Sequence, residues 1–172
     1  MGYEVRTLQV GEIAQLKALF RYKNVKEMIK ENTKEITKGV IDIFVLLENG
    51  KLIGELRAKY VSEDKRFAVK GKRAYLYAYR IHKKYQGRGL GKLLLEKVLD
   101  VLRLNGYSEF TIGVEDDNVR AKHIYENQGF IEPIDKIEES YQGDNYEYML
   151  FLKRFKLNNK IQPKENKVLE WG

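Results

Sequence analysis

The sequence predicts a mixed α/β domain with elements in the order β-α-α-β-β-β-α-β-α-β-β, and three observations carry that prediction. Residues 3–8 and 110–114 alternate apolar with polar side chains, the period of a half-buried strand. An Asn49-Gly50 pair separates two apolar runs, the strongest short hairpin signal in the chain. Leu90, Leu93, Leu94, Val98, Val101 and Leu102 repeat at helical spacing immediately behind a glycine-rich stretch.

Taken in order, residues 3–8 form the first strand. Residues 11–22 place Ile13, Leu16, Leu19 and Phe20 on one face and predict a helix; residues 24–38 predict a second, charged on its outer side. Residues 41–47 and 51–61 are the two arms of the Asn-Gly hairpin. The polar stretch 62–73 is a long loop, and residues 74–81 are the central strand. The helix from Leu90 ends at Asn105-Gly106, a C-terminal stop signal. Phe110, Ile112 and Val114 make the next strand. Asp117 or Asn118 caps a short helix that Gly129 ends, and two closing strands span 130–138 and 146–155. Residues 1–156 are expected to form one domain, and 157–172 a polar C-terminal tail.

Composition narrows the functional classes. A chain of 172 residues has room for a sizeable core, and 43% hydrophobic with 12% aromatic residues argues against disorder. No run approaches the length of a membrane span, and the start Met1-Gly-Tyr-Glu-Val-Arg lacks the apolar core of a signal peptide, so a cytoplasmic location and no membrane partner are expected. The absence of cysteine excludes disulfides, thiolate metal sites and a cysteine nucleophile, and two histidines leave little for a metal, so no metal is expected. The formal charge is +7, yet 25 acidic residues lie among the 32 basic ones, so a nucleic-acid partner is not expected.

The most informative stretch is Ile81-His-Lys-Lys-Tyr-Gln86-Gly87-Arg88-Gly89-Leu90-Gly91-Lys92. Three glycines at alternate positions lead into a helix start, where unpaired N–H groups and the positive end of the helix dipole make an anion site. The nucleotide-triphosphate pattern fails because Leu93, not Ser or Thr, follows Lys92. The dinucleotide pattern fails because its third glycine falls on Lys92. What fits is Gln86-x-x-Gly89-x-Gly91. Downstream, Val114-Glu-Asp-Asp-Asn118-Val-Arg-Ala121-Lys-His-Ile-Tyr125-Glu-Asn-Gln-Gly129-Phe130 places Asn, Ala and Tyr on one short helix closed by Gly-Phe.

In these two motifs, in this order, the sequence resembles the GCN5-related N-acetyltransferase (GNAT) superfamily, over most of residues 3–155. The resemblance implies a mostly antiparallel sheet splayed between strands 4 and 5, and an acetyl-CoA-dependent N-acetyltransferase acting on a small-molecule or peptide amine by direct attack in a ternary complex. It assigns the pyrophosphate to Gln86, Gly87, Arg88, Gly89, Leu90, Gly91 and Lys92. The pantetheine falls to main-chain groups of Arg80 and Ile81 and to Asn118, which could equally be an N-cap. Lys122, with Arg88, is a candidate for the cofactor phosphates. Tyr125 would be the acid that protonates the leaving thiolate, because a phenol with pKa near 10 can give up a proton to it. Glu55 and Glu115 are candidate bases, with Tyr77, Tyr79 and His82 also near the expected acetyl site. Without the resemblance, Tyr125 reads as an ordinary core aromatic. A non-catalytic acyl-CoA-binding or sensing module is the competing class. The acceptor stays open among polyamine, aminoglycoside, amino acid and protein amine. The apolar run Tyr148-Met-Leu-Phe-Leu152 offers a strand for pairing two copies into a homodimer.

Overall fold

The computed structural model describes residues 2–156, so the expected tail 157–172 lies outside the described residues. Seven strands form one sheet: β1 (Tyr3–Thr7), β2 (Ile41–Glu48), β3 (Lys51–Lys59), β4 (Arg73–Ile81), β5 (Glu109–Val114), β6 (Glu132–Tyr141) and β7 (Asp144–Arg154). Their order across the sheet is β1-β2-β3-β4-β5-β7-β6, and only the β4–β5 pair is parallel. That pair needs a crossover, which α2 (Leu90–Leu104) supplies. The other helices are α1 (Val25–Thr37) and α3 (Val119–Asn127).

Two apolar layers hold the sheet. On one face Leu90, Leu94, Leu95, Val98 and Leu102 of α2 pack on Phe44, Leu46, Leu56, Leu76, Phe110 and Ile112. On the other, Ile13, Leu16 and Met28 cover Ile41, Ile43, Val45 and Leu47. A third, smaller cluster joins Ile137, Tyr148 and Leu150 with Phe67 of the long loop.

Three expectations need correction. Residues 11–22 are not an α-helix: a 3-10 helix spans Val10–Ala18. Ile13 and Leu16 of this helix and Leu19 at its C-cap recur every three positions, the period of the tighter helix. The closing hairpin is longer and tighter than its sequence suggests, turning at Gln142-Gly143 with both residues at positive φ. Finally, β7 has β5 on one side and β6 on the other, so its main-chain groups are spent and residues 148–152 offer no edge to a second copy. Among the described residues, no helix is long and apolar enough to cross a membrane.

Candidate active site

Strands β4 and β5 pair from Arg73↔Glu109 to Leu76↔Ile112 and then stop, although β4 continues to Ile81 and β5 to Val114. The sheet therefore opens towards the C-terminal ends of its two parallel strands, which is where α/β sheets bind ligands. A second irregularity sits on the opposite edge of β4. Arg57 pairs with Tyr77 but Glu55 pairs with Arg80, so β4 carries one residue more than β3 over that interval. Ala78 stands in the bulge with φ of 51°, a left-handed conformation that costs a non-glycine residue about 1–2 kcal/mol. The bulge changes which side chains face which way. Tyr79 and Ile81 join the α2 layer with Leu76, whereas Arg80 projects to the opposite face beside Glu55.

The glycine-rich loop follows. Gly87 and Gly89 have φ of 80° and 75°, and Gly89 is the N-cap of α2. Leu93 is the first residue to donate within the helix, to the Gly89 carbonyl at 3.1 Å. The amides of Leu90, Gly91 and Lys92 precede it and are left for an outside acceptor. Gly91 is needed for a separate reason: a Cβ there would lie 3.1 Å from the Tyr79 hydroxyl, which donates to the Gly91 carbonyl. Gln86 Nε2 donates to the Ile81 carbonyl at 2.9 Å and so ties the loop to the strand end. Arg88 stacks on Tyr85 at 5.3 Å, and Lys51 lies 5.9 Å from the same ring.

Loop, strand end and α3 enclose a cleft of about 510 Å³ lined by Tyr79, Ile81, Tyr85, residues of the glycine loop, and Arg120, Ala121, Ile124, Tyr125, Asn127 and Gln128 of α3 and its end. Tyr125 sits between Tyr79 and Phe130, with ring centroids 6.1 and 6.2 Å away. Its hydroxyl makes no hydrogen bond among the described residues. Burial pushes its pKa up to about 12 and drives that of Tyr79 higher still, with the neighbouring Tyr125 adding to the rise. Both phenols are thus protonated throughout the neutral range.

The remaining sequence candidates are distributed unevenly. Asn118 caps α3, its side chain accepting from the Ala121 amide at 3.1 Å. Lys122 is exposed and outside the cleft; the α3 cation that lines it is Arg120, because two residues advance the helix about 200°. Glu115 is exposed just beyond β5. Glu55 is wholly buried, with Oε1 2.8 Å from Arg80 Nη1 and Oε2 3.1 Å from Arg57 Nε. Tyr77 is also on the Arg57 side, and burial raises its pKa. His82 Nδ1 accepts from the Lys84 amide at 3.2 Å and caps a short 3-10 turn. Sequence reading overlooked Tyr85, Arg120, Asn127 and Gln128 as cleft residues. Counting helical steps of three and four from Tyr125 reaches Ala121 and Gln128, but nothing local marks Tyr85.

A sheet opened between two parallel strands, with a glycine-started helix at one end of the opening and an unbonded phenol beside it, defines a ligand-binding cleft of the α/β class. The chain belongs to the family described as Acetyltransferase (GNAT) family, whose profile matches residues 15–130. It is similar to N-alpha-acetyltransferase 30 of Schizosaccharomyces pombe, 33% identical over 87 residues, which are 51% of this chain and 55% of that protein. It is also similar to mycothiol acetyltransferase of Beutenbergia cavernae, 42% identical over 55 residues, 32% of this chain and 18% of that protein. The chain thus spans about half or less of the length of these curated relatives. Its fold matches the crystal structure of an N-acetyltransferase from Staphylococcus aureus Mu50 with a TM-score of 0.69 at 14% identity, covering 91% of this chain and 100% of that one. The structure of RimL, the ribosomal L7/L12 alpha-N-protein acetyltransferase in complex with coenzyme A, matches with a TM-score of 0.67 at 15% identity, covering 90% and 94%.

Proposed function

We propose that this chain transfers an acetyl group from acetyl-CoA to a primary amine by direct attack within a ternary complex. The observation that carries this reading is the meeting, in one cleft, of the unpaired end of β4, the free amides at the start of α2 and the unbonded Tyr125 hydroxyl. These features fit the cofactor chemically. The amides of Leu90, Gly91 and Lys92 are donors suited to a pyrophosphate, the loop is flanked by Arg88 and Lys92, and Arg120 adds a cation across the cleft. Main-chain groups of Arg80 and Ile81 lie on the strand edge that would pair with an extended pantetheine. The Ile81 carbonyl already accepts from Gln86, which fixes that edge relative to the loop.

When bound, acetyl-CoA supplies the activated acyl carbon and a thiolate leaving group. Tyr125 is suited to give that sulfur its proton, because its own pKa of about 12 keeps it loaded at every working pH. Glu115 is the more accessible of the two candidate bases for taking the amine's proton, through water; Glu55 has both oxygens committed to arginines. With no cysteine in the chain, an acyl-thioenzyme intermediate is excluded and one direct transfer suffices.

The test has two stages. Calorimetric titration with coenzyme A should show binding, and thiol release from acetyl-CoA should then depend on an added amine from a panel of amine classes. Absence of coenzyme A binding would overturn the reading. Binding without release for any amine class would favour the acyl-CoA-binding module instead.

A further inference from the structure

We propose that the acceptor carries a carboxylate beside its amine, as an α-amino acid does, and that Arg80 recognises it. The inference rests on the transferase reading above and names the acceptor of that same site. It begins with the bulge at Ala78, which sends Tyr79 and Ile81 into the cofactor cleft and Arg80 to the other face of the opening. Arg80 therefore stands one residue away from two cleft residues, on the side from which an acceptor would approach.

The two arginines there are used differently. Arg57 engages all three of its nitrogens: Nε donates to Glu55 at 3.1 Å, Nη1 to Asn32 Oδ1 at 3.0 Å and Nη2 to the Tyr22 hydroxyl at 3.0 Å. Arg80 donates only through Nη1, to Glu55 Oε1 at 2.8 Å. Among the described residues its Nε and Nη2 have no hydrogen-bond partner, and its side chain is 28% exposed. Those two groups form the side-on edge of the guanidinium, the edge that takes a carboxylate with two parallel hydrogen bonds. Its flat face is fixed 4.0 Å over the Phe20 ring, so the free edge has a set direction. Charge agrees with geometry: the guanidiniums of Arg57 and Arg80 share the single carboxylate of Glu55, and Arg80 is the one that keeps a free donor edge.

The segments around Arg80 are tied to one another. Phe20 packs on Tyr141 with centroids 6.4 Å apart, and the Lys23 amide donates to Gln142 Oε1 at 3.0 Å. Lys23 Nζ also donates to the Gln142 carbonyl. Residues 20–23 are thereby joined to the β6–β7 turn. A free α-amino acid is the simplest acceptor of this kind. Its carboxylate and amine share one carbon, so a carboxylate held on Arg80 brings the amine to the gap between β4 and β5.

The experiment compares the standard L-amino acids with their decarboxylated amines as acceptors in the thiol-release assay. At least one amino acid should exceed its matched amine by about tenfold or more in kcat/KM, the scale of a lost charge-assisted pair. In R80K, which keeps the charge but not the fork, that ratio should fall towards unity. Phe20→Leu, which frees the guanidinium to swing, should lower it less. Matched amines that perform equally or better, or a ratio unchanged in R80K, would overturn the proposal. Calorimetry of the amino acids with the protein–coenzyme A complex separates the two layers of reasoning. Amino acid binding that R80K weakens, without thiol release, would uphold the carboxylate site and sink the transferase reading; no binding of any amino acid would sink the carboxylate site, whatever amines are acetylated.

Discussion

Replacing Tyr125 with phenylalanine removes one oxygen from a ring packed between Tyr79 and Phe130 and leaves the packing itself in place. A buried tyrosine that donates to the protein loses about 0.5–1.5 kcal/mol in such a change. Here the hydroxyl has no protein partner among the described residues, so that cost does not arise. The melting temperature should move by less than about 2 °C, because for a chain of this size 1 kcal/mol corresponds to about 2–4 °C. Coenzyme A affinity should hardly change. Turnover should fall by about 10- to 1,000-fold, within the range for loss of a positioned acid. Steady-state rates, calorimetry and thermal melts on one preparation, with an identified amine, measure all three. Wild-type kcat in Tyr125→Phe, under conditions where chemistry limits the rate, would refute the acid role and return Tyr125 to the core.

Three further outcomes follow from the geometry. Gly89→Val should weaken coenzyme A binding by at least about tenfold in a folded protein: its φ of 75° disfavours a side chain by about 1–2 kcal/mol, and no protein atom lies within 4 Å of the new Cβ, so the branch would project into the phosphate approach. Calorimetry with unchanged affinity would contradict this. Gly113→Ala should destabilise by about 1–3 kcal/mol, since its Cβ would lie 2.5 Å from Tyr148 Cδ2 and force a buried ring aside; denaturant titration reads it. For pH, burial raises the Tyr125 pKa in the folded state to about 12. Its contribution to stability is therefore complete below about pH 10 and is lost as pH rises through about 12. The kcat profile should accordingly show no alkaline limb from Tyr125 below about pH 10; a limb near pH 9 that vanishes in Tyr125→Phe would contradict the burial argument.

Strand and helix order was legible because each strongly periodic segment carries its own signal. The glycine loop was legible because three closely spaced glycines before a helix are costly unless the backbone needs them. The 3-10 helix was misread because Ile13, Leu16, Leu19 and Phe20 satisfy two helical periods at once, and only packing on β2 selects between them. Arg120 escaped notice because the phase of a nine-residue helix cannot be fixed until its cleft side is known. Glu55 looked like an available carboxylate because it lies on a hairpin strand expected to line the substrate cleft. Its arginine partners are Arg57, two residues away on the same strand, and Arg80, twenty-five residues away in sequence. The bulge left no trace at all: alanine at position 78 fits the regular alternation of Ala74 and Leu76, and the extra residue emerges only from pairing with β3.

That extra residue sets a reading frame for the strand. Before Ala78 the even-numbered side chains Ala74 and Leu76 face α2; after it the odd-numbered Tyr79 and Ile81 do. Drawing Ala78 into the regular pairing, with no residue lost, would relieve a strained backbone and let the β3–β4 ladder run without interruption. It would also exchange the two faces for every later residue of the strand, turning Arg80 towards α2 and the tyrosine towards Glu55. A screen for stability alone would favour that smoother sheet. The strain in one alanine is what puts Tyr79 and Ile81 on the cleft side of the strand and Arg80 on the side of Glu55.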